Sequence, residues 1–537
     1  MTSSPERSGG AELPRPRAPL LSLYQVEPWR VREQGFDAPN AARSESVFAL
    51  GNGHLGLRGN LEEDAGNAVH GTYLNGFYEE APIVYPEGAY GFARNHQVQL
   101  NIADGKRVRL EIDGEPLDLS TGEVEYQERS LDLRGGVLHR RLRWRSPGGR
   151  RIDLTTRRLV SFSRPAVAMV DYRVTLLDAP RGEAEVRLVS TLVEGPGNMA
   201  ASDDPRVGSH VRAGSLALER REAHAGGGVL VQRTRTTDLA VAAAVRQSAV
   251  WLRGQAHDAE TPRTVSDSDQ GLGIAPAPQG PHRELAAEAV LLRDGIADTY
   301  RERLGVGDGI HLVKAFAYCS SLELPEDALA DEALAQAGEA LADGFDRLAH
   351  EQAEVLEAFW HDADVELEGD DALQQGLRFN LFTIFGSAGR DGRTNLSAKG
   401  LTGEGYEGHV FWDTEVFAQP FFAYTQPVLA RALLEFRIGT LSAARERAAE
   451  MGEHGALFPW RTINGREASA YFPAGTAQYH INADIALALI RYVQVTGDRS
   501  LLLDGGAELL FETARLWVGL GAYIPAQGGA FCLNEVT

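Results

Sequence analysis

Between Lys399 and Glu415 the chain crowds reactive and binding side chains together: Lys-Gly-Leu-Thr-Gly-Glu-Gly-Tyr-Glu-Gly-His-Val-Phe-Trp-Asp-Thr-Glu. Gly400, Gly403, Gly405 and Gly408 punctuate this stretch, so it reads as a loop entering a helix near Asp413. Tyr406 and Trp412 offer flat faces for the C–H surface of a sugar ring. Glu404, Glu407, Asp413 and Glu415 offer acceptors for its hydroxyl groups. The plainer alternative makes Asp413 a helix cap and Trp412 a core residue. A second cluster has the same character. Phe458-Pro459-Trp460-Arg461 follows a helix ending near Gly452, and Thr476-Ala477-Gln478-Tyr479-His480 precedes a helix starting at Ile481. Both lie on loops at helix ends, where barrel enzymes gather functional groups, although Gln478 or His480 can equally serve the helix start.

Other chemistries find little support. Gly51-Asn52-Gly53-His54-Leu55-Gly56 matches the spacing of a dinucleotide-binding turn. That turn needs a strand before it and a helix after it, and here Leu57-Arg58-Gly59-Asn60 breaks helix, so a tight turn within β structure is expected instead. The chain has no P-loop, no H-E-x-x-H and no G-x-S-x-G, and its 14 histidines lack metal-ligand spacing, so neither metal nor organic cofactor is expected. Cys319 and Cys532 are too few for a disulfide framework and are expected to be reduced thiols.

Two textures position these clusters. From about Leu20 to Asp294 short alternating runs are separated by turn residues: Val108–Ile112 before Asp113-Gly114, Leu138–Arg145 before Ser146-Pro147-Gly148-Gly149, then Val167–Thr175 and Glu185–Val193. Such spacing predicts a β-sandwich rather than βαβ units. The Pro-rich stretch Gly254–Pro281 reads as a surface loop. From about Pro325 the pattern turns helical, with a helix over Asp327–Trp360 broken near Gly344, one over Pro427–Ile438, one over Ile481–Thr496 capped by Gly497, and one over Glu508–Val518. The expected division is a disordered tail (1–19), a β-sandwich (20–320), a helical linker (321–368) and a helical barrel domain (369–537).

The chain has 537 residues, 43% hydrophobic and 24% charged, an ordinary globular composition. Its net charge of −22 repels phosphate backbones and anionic lipid, which argues against nucleic-acid and membrane-surface roles. Met1–Pro19 lacks the apolar core of a signal peptide, and no apolar run reaches the roughly 18 residues of a membrane span, so a cytoplasmic location is expected.

The residues Gly403-Glu404-Gly405-Tyr406-Glu407-Gly408-His409-Val410-Phe411-Trp412-Asp413-Thr414-Glu415 resemble the signature of glycoside hydrolase family 65, the maltose, trehalose, kojibiose and nigerose phosphorylases with related trehalose hydrolases. Glu45–Gly53, Gly71–Gly76 and Leu377–Phe382 resemble its N-terminal domain and first barrel helix. The resemblance implies a β-sandwich, a helical linker and an (α/α)6 barrel, the barrel incomplete in this chain. It also implies that Trp412 and Asp413 hold the sugar whose glycosidic bond is cut. His409, Glu415, Tyr406, Trp460, Gln478 and His480 complete the expected substrate-binding set. The family's general acid is a Glu in a Gly-Pro-Asp-Glu-Tyr stretch following residues like Asn534-Glu535-Val536-Thr537, so no catalytic residue is assigned here. The acid is expected just beyond Thr537, the chain reads as truncated, and Glu535 is not given that role. As printed, the chain is expected to turn over disaccharides poorly. A disaccharide and inorganic phosphate are the implied partners, and a homodimer is an assembly to test. Phosphorolysis, hydrolysis of the trehalase kind and sugar binding without catalysis all remain open at this point.

Overall fold

The alternating runs become strands and the 3.6-residue periodicities become helices. The structure is a computed structural model, and it describes residues 23–63, 68–85, 87–198, 214–254, 281–469 and 478–533. The tail at 1–19, residues 255–280 of the Gly254–Pro281 loop, Thr476 and Glu535 lie outside the described residues.

Among the described residues, an eleven-stranded antiparallel sheet runs from Tyr24–Glu27 at one edge through Val137–Arg145, Arg151–Val160 and Val167–Asp178 to Leu216–His224 at the other. A five-stranded sheet orders Glu288–Leu291, Gly295–Gly305, Glu183–Val193, Val108–Ile112 and Glu115–Pro116. Inward residues of both, including Leu110, Trp144, Tyr172, Leu188 and Phe316, share one buried core, which makes the pair a sandwich. The Asp113-Gly114 pair joins two strands with positive φ at both residues (47° and 81°), the left-handed geometry that tight hairpins favour.

Helix α1 is Ala41–Val47, beside the sandwich. Past Ser320 the described chain is mainly helical, apart from an antiparallel pair of strands at Gly521–Ile524 and Ala530–Leu533. Helices α2 (Leu329–Asp343) and α3 (Phe345–Ala363) meet at Gly344, whose φ of 82° ends one helix and starts the next. Ala337, Ala340, Phe345 and Leu348 pack on Val167, Met169, Ala315 and Ala317, covering the outer face of the larger sheet. Then come α4 (Asp371–Phe385), α5 (Gln419–Thr425), α6 (Pro427–Gly439), α7 (Leu441–Glu450), α8 (His480–Thr496) and α9 (Ala507–Leu520). Helix α4 is capped by Asp370, whose carboxylate accepts from the Leu373 amide at 2.9 Å. Gly497, at φ 72°, closes α8 as expected. Phe417, Tyr424, Leu487, Phe511 and Val518 on or beside these helices remain exposed.

The glycine motif at 51–56 lies on strands Leu50–Gly51 and Leu55–Leu57, and its use is docking. A Cβ on Gly51 would stand 2.7 Å from the Gly386 carbonyl oxygen, and one on Gly53 (φ 88°) would overlap that of Ala388. The Gly53 amide donates to the Gly386 carbonyl at 2.8 Å, while Arg390 donates to the Asn52 carbonyl at 2.8 Å and stacks over Phe385. The motif is therefore the seam where the sandwich meets the end of α4.

One buried amine makes stability depend on pH. Lys314, between the two sheets, donates to the Thr191 and Arg107 carbonyls at 2.8 and 3.1 Å, and burial pulls its ammonium down to about 7. Because the folded value lies below the unfolded one, the stability present above the ordinary lysine range is lost as pH falls toward 7. Between pH 9 and 7 the wild type is expected to lose about 2 kcal/mol more than Lys314→Met, read by urea unfolding. Parallel losses in the two proteins would refute the neutral buried amine.

Candidate functional site

The Gly-rich loop owes its shape to partners distant in sequence. Arg461 pairs with Glu407 at 2.6 Å, both side chains 2% exposed, and also donates to the Tyr406 carbonyl at 3.3 Å. Val410 and Thr462 exchange backbone hydrogen bonds at 2.8 and 3.2 Å, and the Ser397 hydroxyl donates to the Gly408 carbonyl at 2.8 Å. From the N-terminal half of the chain, strand Asn95–Gln99, paired with Tyr78–Pro82 in a separate two-stranded sheet, braces the same region. The Gln97 amide donates to Asn464 at 2.8 Å and its carbonyl accepts from the Ile463 amide at 2.6 Å, while Gln99 leaves no room for a side chain at Gly408. These contacts hold Tyr406 and Glu407 at φ 51° and 55°, left-handed conformations costing a non-glycine residue roughly 1 kcal/mol or more each.

The loop delivers Trp412 and Asp413 to the start of a π-helical turn at Thr414–Ala418. Asp413 is exposed, and its carboxylate makes no cap hydrogen bond, so the capping alternative falls. Trp412 is half-buried against the core, with its ring perpendicular to that of His480 (88°, 4.9 Å between centroids). His480 Nδ1 lies 2.7 Å from Asp484 Oδ2, and Nε2 lies 3.2 Å from Gln478 Oε1. The start of α8 thus brings the His480 ring against Trp412, with Gln478 beside that ring. Asn482, two residues after His480, accepts from the Phe458 amide at 2.9 Å and donates to the Ala456 carbonyl at 2.6 Å, tying in the segment that leads to Trp460.

Tyr406 and Trp460 stand on two sides of Phe411, each 5.4 Å from it and steeply tilted (70° and 87°), forming an aromatic wall behind the loop. Glu467 is buried and fixes that wall by accepting from the Trp460 amide at 2.7 Å and from the Ser469 amide at 3.0 Å; burial pushes its carboxyl upward.

Two of the expected ligand residues lie behind the site. Glu415 forms a bidentate ion pair with Arg437 at 2.7 and 2.9 Å, each side chain 1% exposed, which leaves both its oxygens occupied. His409 is fully buried, with Nδ1 2.7 Å from the Tyr406 carbonyl and 3.1 Å from Arg461 Nε. Burial and the neighbouring Arg461 charge hold its imidazole well below its ordinary range, so it is neutral. Both residues brace the loop through these contacts. Asp484, Arg437 and Glu467 carry weight that sequence reading missed. Only Asp484 left a signal, its place four residues after His480 on one helix face. Among the described residues, no group of three His, Cys, Asp or Glu is placed to hold a metal ion, and no helix is long and apolar enough to cross a membrane.

A sandwich with a helical domain docked on it thus carries an aromatic–carboxylate cluster where loops meet a helix start, the arrangement of a sugar-site candidate. Family sequence models agree: "Glycosyl hydrolase family 65, N-terminal domain" matches residues 31–359 and "Glycosyl hydrolase family 65 central catalytic domain" matches residues 378–537. The chain belongs to glycosyl hydrolase family 65. It is similar to an alpha,alpha-trehalose phosphorylase of Thermoanaerobacter brockii, 42% identical over 519 residues that cover 96% of this chain and 63% of the relative. A kojibiose phosphorylase of Halothermothrix orenii is 27% identical, over 93% of this chain and 60% of its own. A solved structure described as a kojibiose phosphorylase candidate from the human microbiome superposes with a TM-score of 0.80 at 24% identity, covering 96% of this chain and 62% of that one. That likeness supports the fold, a β-sandwich followed by an (α/α)6 barrel. The chain spans less than two thirds of the length of these relatives.

Proposed function

We propose that the protein is a glycoside phosphorylase acting on an α-linked glucose disaccharide of the maltose, trehalose or kojibiose class. Phosphate oxygen bonds to the anomeric carbon from the face opposite the departing sugar, the glycosidic C–O bond breaks, and the leaving oxygen takes a proton from a carboxylic acid. The products are β-glucose 1-phosphate and glucose. Phosphate arrives ionised, so this reaction needs no base to activate water, unlike inverting hydrolysis. The observation that carries the reading is the half-buried Trp412 ring, braced by His480, beside the exposed and uncapped Asp413 carboxylate. An indole face takes the apolar side of a pyranose while a carboxylate accepts its hydroxyl hydrogens. The phosphorylases among its relatives accord with it.

The test is glucose binding by calorimetry, followed by disaccharide cleavage with and without phosphate. Asp413→Asn is expected to weaken glucose binding at least tenfold, since charge-assisted hydrogen bonds are worth roughly 1.5–3 kcal/mol. Its unfolding midpoint should stay unchanged, because the carboxylate holds no cap. In protein that carries the Gly-Pro-Asp-Glu-Tyr acid stretch, cleavage independent of phosphate would identify a hydrolase, and binding with no cleavage under either condition would identify a sugar-binding protein. A variant that loses its cooperative unfolding would return Asp413 to a structural role.

A further inference from the structure

The His480 ring touches three groups whose hydrogen-bonding roles constrain one another. Its Nδ1 stands 2.7 Å from the Asp484 carboxylate, an acceptor only, so Nδ1 carries a proton. In the neutral ring Nε2 is then a bare acceptor, and the Gln478 atom placed 3.2 Å from it is Oε1, a second acceptor. That neighbour satisfies Nε2 only by presenting its NH2, because oxygen and nitrogen of a side-chain amide are interchangeable by a half-turn. Once the NH2 faces the ring, the amide oxygen faces away from it. On its remaining side the imidazole meets the Trp412 indole at 88°. Asp484 is 20% exposed and sits one helical turn beyond His480, which rests on the regular geometry of α8.

We propose that Asp484 is a positioning residue of this site: through His480 it fixes the direction of a hydrogen-bond chain that turns the Gln478 carbonyl toward substrate and holds the Trp412 plane. The inference rests on the sugar-site reading of Trp412 and Asp413. With Asp484 in place, both Gln478 and Asp413 present acceptors, which suits a sugar approaching with its hydroxyl hydrogens. Without Asp484, nothing holds the proton on Nδ1. When the proton sits on Nε2, Gln478 must offer its oxygen to the ring and its NH2 to the ligand, and the pattern is inverted.

The test combines 15N spectra of histidine-labelled protein with glucose calorimetry, the His480 signals being assigned from their loss in His480→Gln. In the wild type, neutral His480 should show a protonated Nδ1 and a bare Nε2. Asp484→Ala should move the proton to Nε2 and weaken glucose binding about tenfold. Asp484→Asn, whose carbonyl can still accept from Nδ1–H, should keep the tautomer and bind within about threefold of wild type. A wild-type ring protonated at Nε2, or an Asp484→Ala protein with unchanged tautomer or unchanged affinity, overturns the proposal. The expected tautomer in a wild-type protein that binds no glucose instead overturns the sugar-site reading, and the role given to Asp484 falls with it.

Discussion

Arg437→Met is expected to cost about 3–5 kcal/mol of folding stability and to weaken sugar binding as well. Removing one member of a buried ion pair leaves the other as an uncompensated charge in a medium that solvates it poorly. Here the stranded group is Glu415, 1% exposed, which accepts two hydrogen bonds from Arg437. Arg437 also donates to the Phe411 carbonyl at 3.2 Å, next in sequence to Trp412, so the loss reaches the site. Urea unfolding of the single variants and of Glu415→Gln/Arg437→Met checks the claim. The double variant should recover a good part of the loss, because no charge is left buried alone. A cost below about 1 kcal/mol for Arg437→Met would mean that the pair is solvated.

The second large effect belongs to Gly53→Ala. The new methyl would overlap the Ala388 carbonyl, at a φ of 88° that alanine adopts only with strain, and the hydrogen bond from its amide to Gly386 would be displaced. A destabilisation of about 3 kcal/mol or more follows from the combined strain and overpacking. Because this is the seam between sandwich and helices, calorimetry should show one melting transition parting into two. Gly338→Ala is the control: it lies within α2 with open space around it, and is expected to be neutral or stabilising by up to about 1 kcal/mol. Equal melting of the two variants would show that the seam carries no coupling.

Sequence patterning disclosed the elements well wherever periodicity was local. The alternation in Val108–Ile112 and the four-residue spacing in Ile481–Thr496 each reflect one buried face, and Gly344 and Gly497 stop helices through their own backbone freedom. Trp412 and Asp413 stand out by type as sugar-binding candidates, an indole beside a carboxylate in a glycine-rich loop, and the structure leaves that carboxylate exposed and without a cap hydrogen bond. The burial of His409 and Glu415 is not legible in the sequence, because their partners, Arg461 and Arg437, lie far along the chain and nothing in the spacing reveals them. The glycines at 51 and 53 were rightly read as a β turn, but their reason, the close approach of Gly386 and Ala388, exists only in three dimensions. Within the loop, local rules assign left-handed backbone to glycine, whereas Tyr406 and Glu407 adopt it under the constraint of Arg461.

The bracing of the loop by strand Asn95–Gln99 bears on how the molecule is made. Gln97 and Asn464 are separated by 367 positions, so on the ribosome the strand is complete long before the segment it supports exists. The N-terminal half of the chain can fold first, as N-terminal units generally do during synthesis. The later loop then condenses against a surface already in place. Translation order makes the older domain a mould for the younger, and a helical domain produced without it would have to find the Tyr406–Glu407 conformation unaided.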